Sequence, residues 1–297
     1  MHSLMSFMEN EYESGDNKMT SFTYTVQHSD MTLEQLLRDY WKAGKKNIHE
    51  LRMANAVTDA EGAPVIWRTP LVEGTVLTFN LPEAHSDYQP LDVPGVKILQ
   101  EDEHFIAVFK PADIAVHPDG TSREATMMNA VIAHVQAQGG TYAEHIQRLD
   151  KGTSGIVIVA KHPMAKAMFD QMIASNEIKR LYHAEVEGRL KRIKGSINMP
   201  IGRDRHHPTR RRISMSGQSA VTHFKVIERK EETTLIEASL DTGRTHQIRV
   251  HMHHLGHPVV GDNLYEAAAL PDGSYRLTAV ETSFIHPFTG EKITITL

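Results

Sequence analysis

The strongest constraint on the fold is a short apolar run, "GIVIVAK", at Gly155 to Lys161. Its five central residues are apolar and four of them are β-branched. β-Branched side chains fit a pleated strand better than a helix, and a run of this length between turn residues is typical of a buried strand. We therefore predict a buried strand here, around which the chain must build a sheet.

A glycine-rich turn precedes this strand and carries a lone carboxylate. The segment "RLDKGTSG" places Asp150 between Arg148 and Gly152. Glycines let a backbone turn tightly and approach another group closely. The simplest interpretation is an ordinary β-turn in which Asp150 accepts hydrogen bonds from nearby amides. The alternative is a turn that presents Asp150 as a reactive group beside glycines that let a substrate come close.

Composition limits the class of protein. A chain of 297 residues, 40% hydrophobic and 23% charged, has the length of one large domain or two ordinary ones and the balance of a globular protein. The absence of cysteine excludes a disulfide framework, a thiolate metal site and a cysteine nucleophile. No apolar run approaches the roughly 20 residues that span a bilayer, and the acidic N-terminus lacks the features of a signal peptide. We expect a cytoplasmic protein.

The chain divides into four parts by composition. Residues 1–20 are polar and are expected to be a disordered tail. Residues 21–84 form a small unit with one helix followed by short strands and turns, and residues 85–95 form a polar linker broken by prolines. Residues 96–297 form one long mixed region of helices and strands. The helix of the small unit is predicted from apolar residues at helical spacing: Leu33, Leu36, Leu37 and Tyr40.

The segment after the glycine-rich turn predicts a helix and then a second strand. Residues 163–175 carry methionine, phenylalanine and isoleucine side chains on one helical face. Leu181 to Val186 alternates in polarity, which places Tyr182 on a buried face. Tyr182 is then either an ordinary core aromatic or a ring on which a nucleobase can stack, with a phenol for proton transfer.

A third segment, residues 239–265, is dense in polar residues. We predict a helix from about Arg244 to Leu255, which Gly256 ends. Histidines are frequent in this segment, but His251 and His253 point apart on a helix, so no metal site is expected. Arg249 remains as a permanent cation that can pair with a buried carboxylate.

Positive charge is concentrated in one place. The net charge of −5 disfavours a general nucleic-acid coat, but Arg203 to Arg212 holds five arginines and one aspartate. This arginine cluster can contact phosphates, or it can be a solvated surface loop without a partner. Because the residues on both sides predict strands, we expect the cluster to project from the sheet.

Three segments in this order and spacing resemble the RluA-type pseudouridine synthases: "RLDKGTSG", "IKRLYHAEVEG" and "DTGRTHQIRVHMHHLGHPVVGDNLY". Shorter stretches resemble the same family: "ILQEDEHFIAVFKPADIAVHP", "PIGRD", "AVTHFKV" and "FIHPFTGE". The resemblance covers residues 96–297. Residues 21–84 resemble a diverged S4-type RNA-binding domain.

The resemblance implies an α+β fold, in which a mixed and mostly antiparallel central sheet with flanking helices and loops follows a small S4-like unit. It implies an RNA pseudouridine synthase that needs no cofactor or metal, because the reaction is an isomerisation. Asp150 matches the family's essential aspartate, Tyr182 its active-site tyrosine, and Arg249 the arginine that pairs with the aspartate. Contacts to RNA are expected from seven cations: Arg148, Lys151, Arg203, Arg210, Arg211, Arg212 and Arg244.

The chain departs from the family pattern at Gln147, where a histidine usually precedes Arg-Leu-Asp. We expect altered contacts to RNA or to the turn rather than lost chemistry. The resemblance further implies structured RNA as the partner, with ribosomal RNA expected and transfer RNA as the alternative, and a monomer.

Two other classes of protein fit the sequence less well. A nucleoside or sugar hydrolase needs a second dedicated carboxylate, and no Asp or Glu stands in a comparable motif. A non-catalytic RNA-binding protein would use the S4-like unit and the arginine cluster, but it gives no reason for Asp150, Tyr182 and Arg249 to occur together.

Overall fold

The structure is a computed structural model that describes residues 20–27, 29–118, 124–271 and 273–297. The predicted tail, residues 1–20, lies outside the described residues except for its last position. Within the described part of the chain, no helix is long and apolar enough to cross a membrane.

The N-terminal unit is a three-stranded antiparallel sheet packed on short helices, with the strand order β1-β3-β2. Thr32 caps the first helix with its side chain. The elements are β1 (Thr20–Thr25), α1 (Leu33–Gln35) with a π-helical turn (Leu36–Tyr40), α2 (Lys45–Met53), β2 (Val57–Thr58) and β3 (Val76–Leu81).

Two details of this unit differ from the sequence prediction. Tyr40 is 49% exposed, because the wider π-helical turn rotates it away from the core, and Trp41 fills the core instead at 1% exposure. The prediction of only strands and turns after the first helix is wrong, because Lys45–Met53 is a helix. This helix buries only Leu51 fully, so its apolar face is narrow and its periodicity is weak.

The larger part of the chain forms a ten-stranded sheet, in the order β4-β5-β7-β14-β8-β13-β12-β9, with β15 paired to β14 and β6 to β7. All pairings are antiparallel except β7 with β14, which confirms the expected mixed, mostly antiparallel sheet. The ten strands of this sheet are β4 (Lys97–Glu101), β5 (Phe105–Lys110), β6 (Glu144–His145), β7 (Ser154–Ala160), β8 (Lys179–Glu187), β9 (Lys194–Asn198), β12 (Val221–Arg229), β13 (Thr233–Leu240), β14 (Leu277–Ile285) and β15 (Lys292–Thr296). Strands β10 (Ile201–Arg203) and β11 (Arg211–Ile213) form a separate pair.

Strand β7 is the predicted buried strand and separates two apolar cores. Ile156 and Ile158 belong to a core shared with the N-terminal unit, whereas Val157 and Val159 belong to a second core on the opposite face. Alternate residues of a strand point to opposite faces, so both faces of β7 are covered. Helices α3 (Met127–Ala137) and α4 (Pro163–Ala174) contribute to the second and the first core respectively.

The core of the N-terminal unit continues into the larger sheet. Phe22 from β1 stacks on His162, which caps α4, with ring centroids 5.0 Å apart. Trp41 contacts Phe288 at 5.1 Å. Residues 82–96, which include the predicted linker, contain no helix or strand, yet the hydroxyl of Ser86 donates to the carbonyl of Ala143. The domain boundaries stay a prediction.

A two-stranded hairpin carries the arginine cluster. Strands β10 and β11 pair antiparallel, and residues 204–210 form the connection between them. We call residues 201–213 the arginine hairpin. It packs beside α5 (Gln247–His254), which begins three residues later than predicted because His246 has the left-handed backbone conformation.

Candidate active site

Asp150 lies in a tight turn immediately before β7. The main-chain N–H of Thr153 donates to the main-chain carbonyl of Asp150 over 3.0 Å, so the predicted β-turn is confirmed. The carboxylate of Asp150 accepts from Arg249 and from no main-chain amide of the described residues. The expectation that its glycines let a substrate come close is wrong. Gly152 lies against the ring of Tyr275, and Gly155, at φ +125°, lies against the backbone of Ala279 in β14, so neither position leaves room for a Cβ atom.

A buried lysine, Lys110, binds the backbone of the same turn. Nζ of Lys110, at the end of β5, donates to the carbonyls of Pro111, Ile114 and Lys151 at 2.8, 2.8 and 3.0 Å. Burial lowers the pKa of Lys110 to about 8, although the negative charge of Asp150 acts in the opposite direction. Because Lys151 directly follows Asp150 in the chain, the bond from Lys110 to its carbonyl fixes the backbone next to the Asp150 carboxylate.

Arg249, on α5, joins Asp150 to a second carboxylate. Its Nη1 donates to Oδ2 of Asp150 over 2.9 Å. Its Nε and Nη2 donate to the two oxygens of Asp262 at 2.6 and 2.9 Å, so the bidentate partner of the guanidinium is Asp262. The side chain of Asp262 is almost fully buried, and both of its oxygens are occupied by Arg249.

Two tyrosines enclose the guanidinium of Arg249. Its central carbon lies 4.4 Å from the ring centre of Tyr275 and 5.1 Å from that of Tyr265. Burial lowers the pKa of Arg249, but the hydrogen bonds to Asp262 and the neighbouring negative charges outweigh this effect and raise the pKa above its ordinary value. The guanidinium is therefore a fixed positive charge beside Asp150.

The two oxygens of Asp150 differ in their surroundings. Oδ2 accepts from Arg249 and lies 3.8 Å from Nε2 of His246. None of the residues that the structure describes donates a hydrogen bond to Oδ1. The carboxylate is a quarter exposed and lines a cavity of about 690 Å³. One oxygen is thus held by the protein while the other is open to a ligand.

Tyr182 lies in the wall of the same cavity. It is on β8, 6% exposed, with its ring in the core on one face of the central sheet. Burial raises the pKa of its phenol, and the charge of Asp150 adds to the increase, whereas Arg180 beside it lowers the pKa. The buried face predicted for the strand is confirmed, and the ring is both a core aromatic and a wall of the cavity.

The structure divides the seven predicted RNA-contacting cations into two groups. Arg148, Lys151 and Arg244 line the cavity. Arg148 donates to His117, Lys151 pairs with Glu124, and Arg244 donates to the carbonyl of Ser219. The other four lie in the arginine hairpin. Arg210, Arg211 and Arg212 line a separate hollow, and Arg203 lies opposite Arg211 in the strand pair.

The arginine hairpin is fastened to the site by Tyr265. The main-chain N–H of Arg211 donates to the hydroxyl of Tyr265 over 3.0 Å. Arg210 pairs with Glu266 at 3.0 Å and lies over the ring of Tyr265. Burial raises the pKa of Tyr265 to about 12, so its hydroxyl keeps its hydrogen at neutral pH.

Sequence reasoning missed five residues of this site: Lys110, His246, Asp262, Tyr265 and Tyr275. The first four lie inside the segments that carry the family resemblance. The motifs therefore included these residues, but they did not show which groups the residues contact. Gln147, in turn, is buried with no hydrogen-bond partner for either amide atom among the described residues. No group of three potential metal ligands is found in the described part of the chain.

Comparison with solved structures identifies the fold first. The human RNA Pseudouridylate Synthase Domain Containing 1 superposes with a TM-score of 0.57, at 22% identity, over 70% of this chain and 85% of that one. The fold is that of the pseudouridine synthases.

Comparison with sequence families then identifies the chain. The family model for RNA pseudouridylate synthase matches residues 104–254, and a model for the RluD ribosomal pseudouridine synthase N-terminal domain matches residues 20–77. The chain belongs to the RNA pseudouridylate synthase family, whose members are isomerases, and the resemblance predicted from the motifs and from the S4-like unit is confirmed.

Named relatives cover most of the chain. The RNA pseudouridine synthase YhcT of Bacillus subtilis is 48% identical over 88% of this chain and 87% of its own length. Ribosomal large subunit pseudouridine synthase D of Vibrio vulnificus is 33% identical over 90% of this chain and 86% of its own length.

Proposed function

We propose that this protein converts specific uridines of structured RNA to pseudouridine, with Asp150 as the essential catalytic carboxylate. Ribosomal RNA is the proposed substrate, supported by the relatives named ribosomal large subunit pseudouridine synthase D and by the matching RluD N-terminal domain. Transfer RNA is the alternative. The proposal includes a cytoplasmic location and action as a monomer.

The observation that carries the proposal is the asymmetric environment of Asp150. The reaction breaks the C1′–N1 bond of uridine, turns the base and joins C1′ to C5, so that C5 loses a proton and N1 gains one. It needs one carboxylate beside the sugar, as a nucleophile at C1′ or as a base at C2′. Asp150 lines the cavity, Oδ1 accepts from none of the residues that the structure describes, and Arg249 on Oδ2 stabilises the ionised form that either role requires.

Tyr182 and the cations have supporting roles in this proposal. The target base must leave its stack to enter the cavity, and the ring of Tyr182 can hold the detached uracil there. Arg148, Lys151 and Arg244 at the cavity and the arginines of the hairpin contact the phosphates around the target nucleotide.

A hydrolase is the weaker reading of the same cavity. An inverting or retaining glycosidase uses two carboxylates, and each must be free to meet the sugar or a water molecule. Asp262 is close to Asp150, but Arg249 binds both of its oxygens. Asp241 also lines the cavity, and its carboxylate accepts from His223 at 2.8 Å on the protein surface. Asp262 is therefore not free to act as a second catalytic carboxylate. Oδ1 of Asp241 accepts from none of the described residues, so the assay for free uracil below is the test of a hydrolase.

The test is conversion by the purified protein of uridine to pseudouridine, detected as a carbodiimide adduct that survives alkaline treatment, in transcripts of ribosomal RNA and, separately, of transfer RNA. Production of pseudouridine in one set only identifies the substrate class. RNA binding without any pseudouridine would favour a non-catalytic RNA-binding protein, and free uracil would favour a hydrolase. Maps of pseudouridine in cells with and without the gene then identify the position.

A further inference from the structure

A chain of hydrogen bonds leads from the arginine hairpin towards Asp150. The main-chain N–H of Arg211 donates to the hydroxyl of Tyr265 over 3.0 Å. That hydroxyl lies 2.8 Å from Nδ1 of His246. The other ring nitrogen of His246, Nε2, lies 3.8 Å from Oδ2 of Asp150. Two side chains therefore connect a strand of the hairpin with the carboxylate.

The direction of these bonds follows from which groups can donate. A main-chain N–H only donates, so the oxygen of Tyr265 accepts from Arg211. None of the described residues provides another acceptor for the phenol hydrogen, so Tyr265 donates it to Nδ1 of His246. In a neutral imidazole the remaining hydrogen is then on Nε2, the atom that faces Asp150.

The surroundings of His246 keep its ring neutral. Burial lowers the pKa of His246 and Arg249 lowers it further, while the charge of Asp150 acts in the opposite direction. The other charged groups that face the ring are Asp262 and Arg211. A neutral ring has one hydrogen to donate, and Tyr265 directs that hydrogen to Asp150.

The backbone of His246 is also unusual. With φ at 60° and ψ at 21° it occupies the left-handed region, directly before α5. Side chains other than glycine rarely adopt this conformation, although histidine is among the types enriched there. Such residues are concentrated at functional sites, where the surrounding structure holds them in place. Here the conformation turns the ring to meet Tyr265 edge-on.

We propose that His246 is a positioning residue for Asp150 and that Tyr265 couples it to the arginine hairpin. The inference rests on the proposed function of Asp150. A separation of 3.8 Å between Nε2 and Oδ2 is about 1 Å longer than a hydrogen bond. Catalytic hydrogen bonds that are long in a free enzyme often shorten in the complex with substrate. RNA bound to the hairpin fixes β11, Tyr265 and the ring of His246, so that Nε2–H closes onto Oδ2. With Arg249 and His246 both on Oδ2, Oδ1 is held towards the sugar.

The first test removes one hydroxyl and keeps the ring that packs in the core. In Tyr265→Phe we expect the single-turnover rate at saturating RNA to fall by about tenfold or more, because the ring of His246 is no longer oriented. The dissociation constant for the RNA should change by less than about threefold, because no phosphate contact is lost. Tyr88→Phe is the matched control, since its hydroxyl also donates to a protein side chain, the carboxylate of Glu144, and it should keep the normal rate and affinity.

The second test separates positioning from packing. His246→Leu should lose rate to a similar extent, whereas His246→Gln, which retains an N–H at the same number of bonds from the backbone, should recover part of the loss. If the two residues act through one chain, the variant carrying both Tyr265→Phe and His246→Leu is no slower than the slower single variant. Thermal unfolding of each variant checks that the comparison is between folded proteins.

Three results would overturn the proposal: a normal rate in Tyr265→Phe, losses in the double variant that multiply, or a Gln variant as slow as the Leu variant. All are read against a wild-type protein that makes pseudouridine. A wild-type protein without that activity would instead refute the proposed function.

Discussion

At the scale of single residues, the role proposed for the carboxylate of Asp150 predicts how the substitution Asp150→Asn changes the rate. In Asp150→Asn we expect the rate of isomerisation to fall by several orders of magnitude, because an amide is neither a nucleophile at C1′ nor a base at C2′. The shape is kept and the neighbouring cations remain, so RNA binding should stay nearly normal. Single-turnover assays together with an RNA-binding titration measure both. A variant that keeps a tenth of the normal rate would mean that another group is the essential carboxylate.

The contributions of the ring and the hydroxyl of Tyr182 can be measured separately with the substitution Tyr182→Phe. Its phenol has a raised pKa and carries its hydrogen at neutral pH, so it can donate a hydrogen bond to the base or relay the proton that leaves C5. In Tyr182→Phe the stacking surface remains, and we expect the rate to fall by about 10²-fold, the lower end for a lost acid–base group. The temperature of unfolding should change little. Unchanged turnover would mean that Tyr182 contributes only its ring.

Asp262 is predicted to act on the site through Arg249. In Asp262→Asn the guanidinium loses its buried countercharge, and breaking such a pair costs about 3–5 kcal/mol of unfolding free energy. We also expect lower activity, because Arg249 is then free to bind both oxygens of Asp150 and withdraw Oδ1 from the cavity. Chemical denaturation and single-turnover assays measure the two effects. Asp170→Asn on the exposed surface of α4 is the control and should cost no more than about 0.5 kcal/mol; equal effects of the two substitutions would contradict this role of Asp262.

At the scale of elements, the arginine hairpin is predicted to bind phosphates. Replacing Arg210, Arg211 and Arg212 together by Gln should weaken RNA binding and flatten its salt dependence by roughly 2–3 units of log–log slope, at about 0.7–0.9 per phosphate contact. Turnover at saturating RNA should fall less than affinity, because these side chains hold the substrate. The control is Arg192→Gln. Arg192 precedes β9, whereas the hairpin follows β9, so the two lie at opposite ends of that strand. An unchanged slope in the triple variant would leave the hairpin as a solvated surface element.

Elements with a strong local period could be predicted from the sequence, and those set by tertiary contacts could not. Strand β7, helix α4 and strand β8 follow from β-branched runs, a methionine-rich helical face and clear alternation. Helix α2 has only Leu51 fully buried, too little to produce a visible period. Helix α5 begins after His246 because this residue has a left-handed backbone, and its ring is hydrogen-bonded to Tyr265. Residue preferences alone do not predict this conformation.

The site was predictable as a set of residues and only partly as a set of contacts. The motifs brought Asp150, Tyr182 and Arg249 into view, and the structure brings all three to one cavity. The sequence does not show that Asp262 is the bidentate partner of Arg249. This pairing depends on how the chain after α5 folds back towards the helix. What these residues do in catalysis stays a prediction until the variants are measured.

At the scale of the whole molecule, two buried histidines join the N-terminal unit to the larger sheet. His162 caps α4 by accepting the N–H of Ala165 at Nδ1, so its Nε2–H donates to Nδ1 of His104 over 3.0 Å. Phe22 of the N-terminal sheet contacts both rings at 5.0 Å. Burial lowers the pKa of His104 to about 4 and that of His162 to about 3. Both rings are therefore neutral in the folded protein at pH values where free histidine is protonated.

This arrangement predicts a loss of stability in mild acid. Between a pH near 6.5 and about 4 the unfolded chain binds protons that the folded chain does not, so the free energy of unfolding falls as the pH falls, by up to about 1.4 kcal/mol per pH unit for each histidine. Above pH 7 the pair contributes no slope. Chemical denaturation at several pH values between 5 and 7.5 measures it, a range that lies above the titration of the carboxylates. In His162→Asn, whose side chain can still cap α4 but does not titrate, we expect the slope between pH 5 and 6.5 to fall by about one proton. The same slope in wild type and variant would mean that the acid sensitivity arises from other histidines, such as the half-buried His145, rather than from the junction between the two sheets.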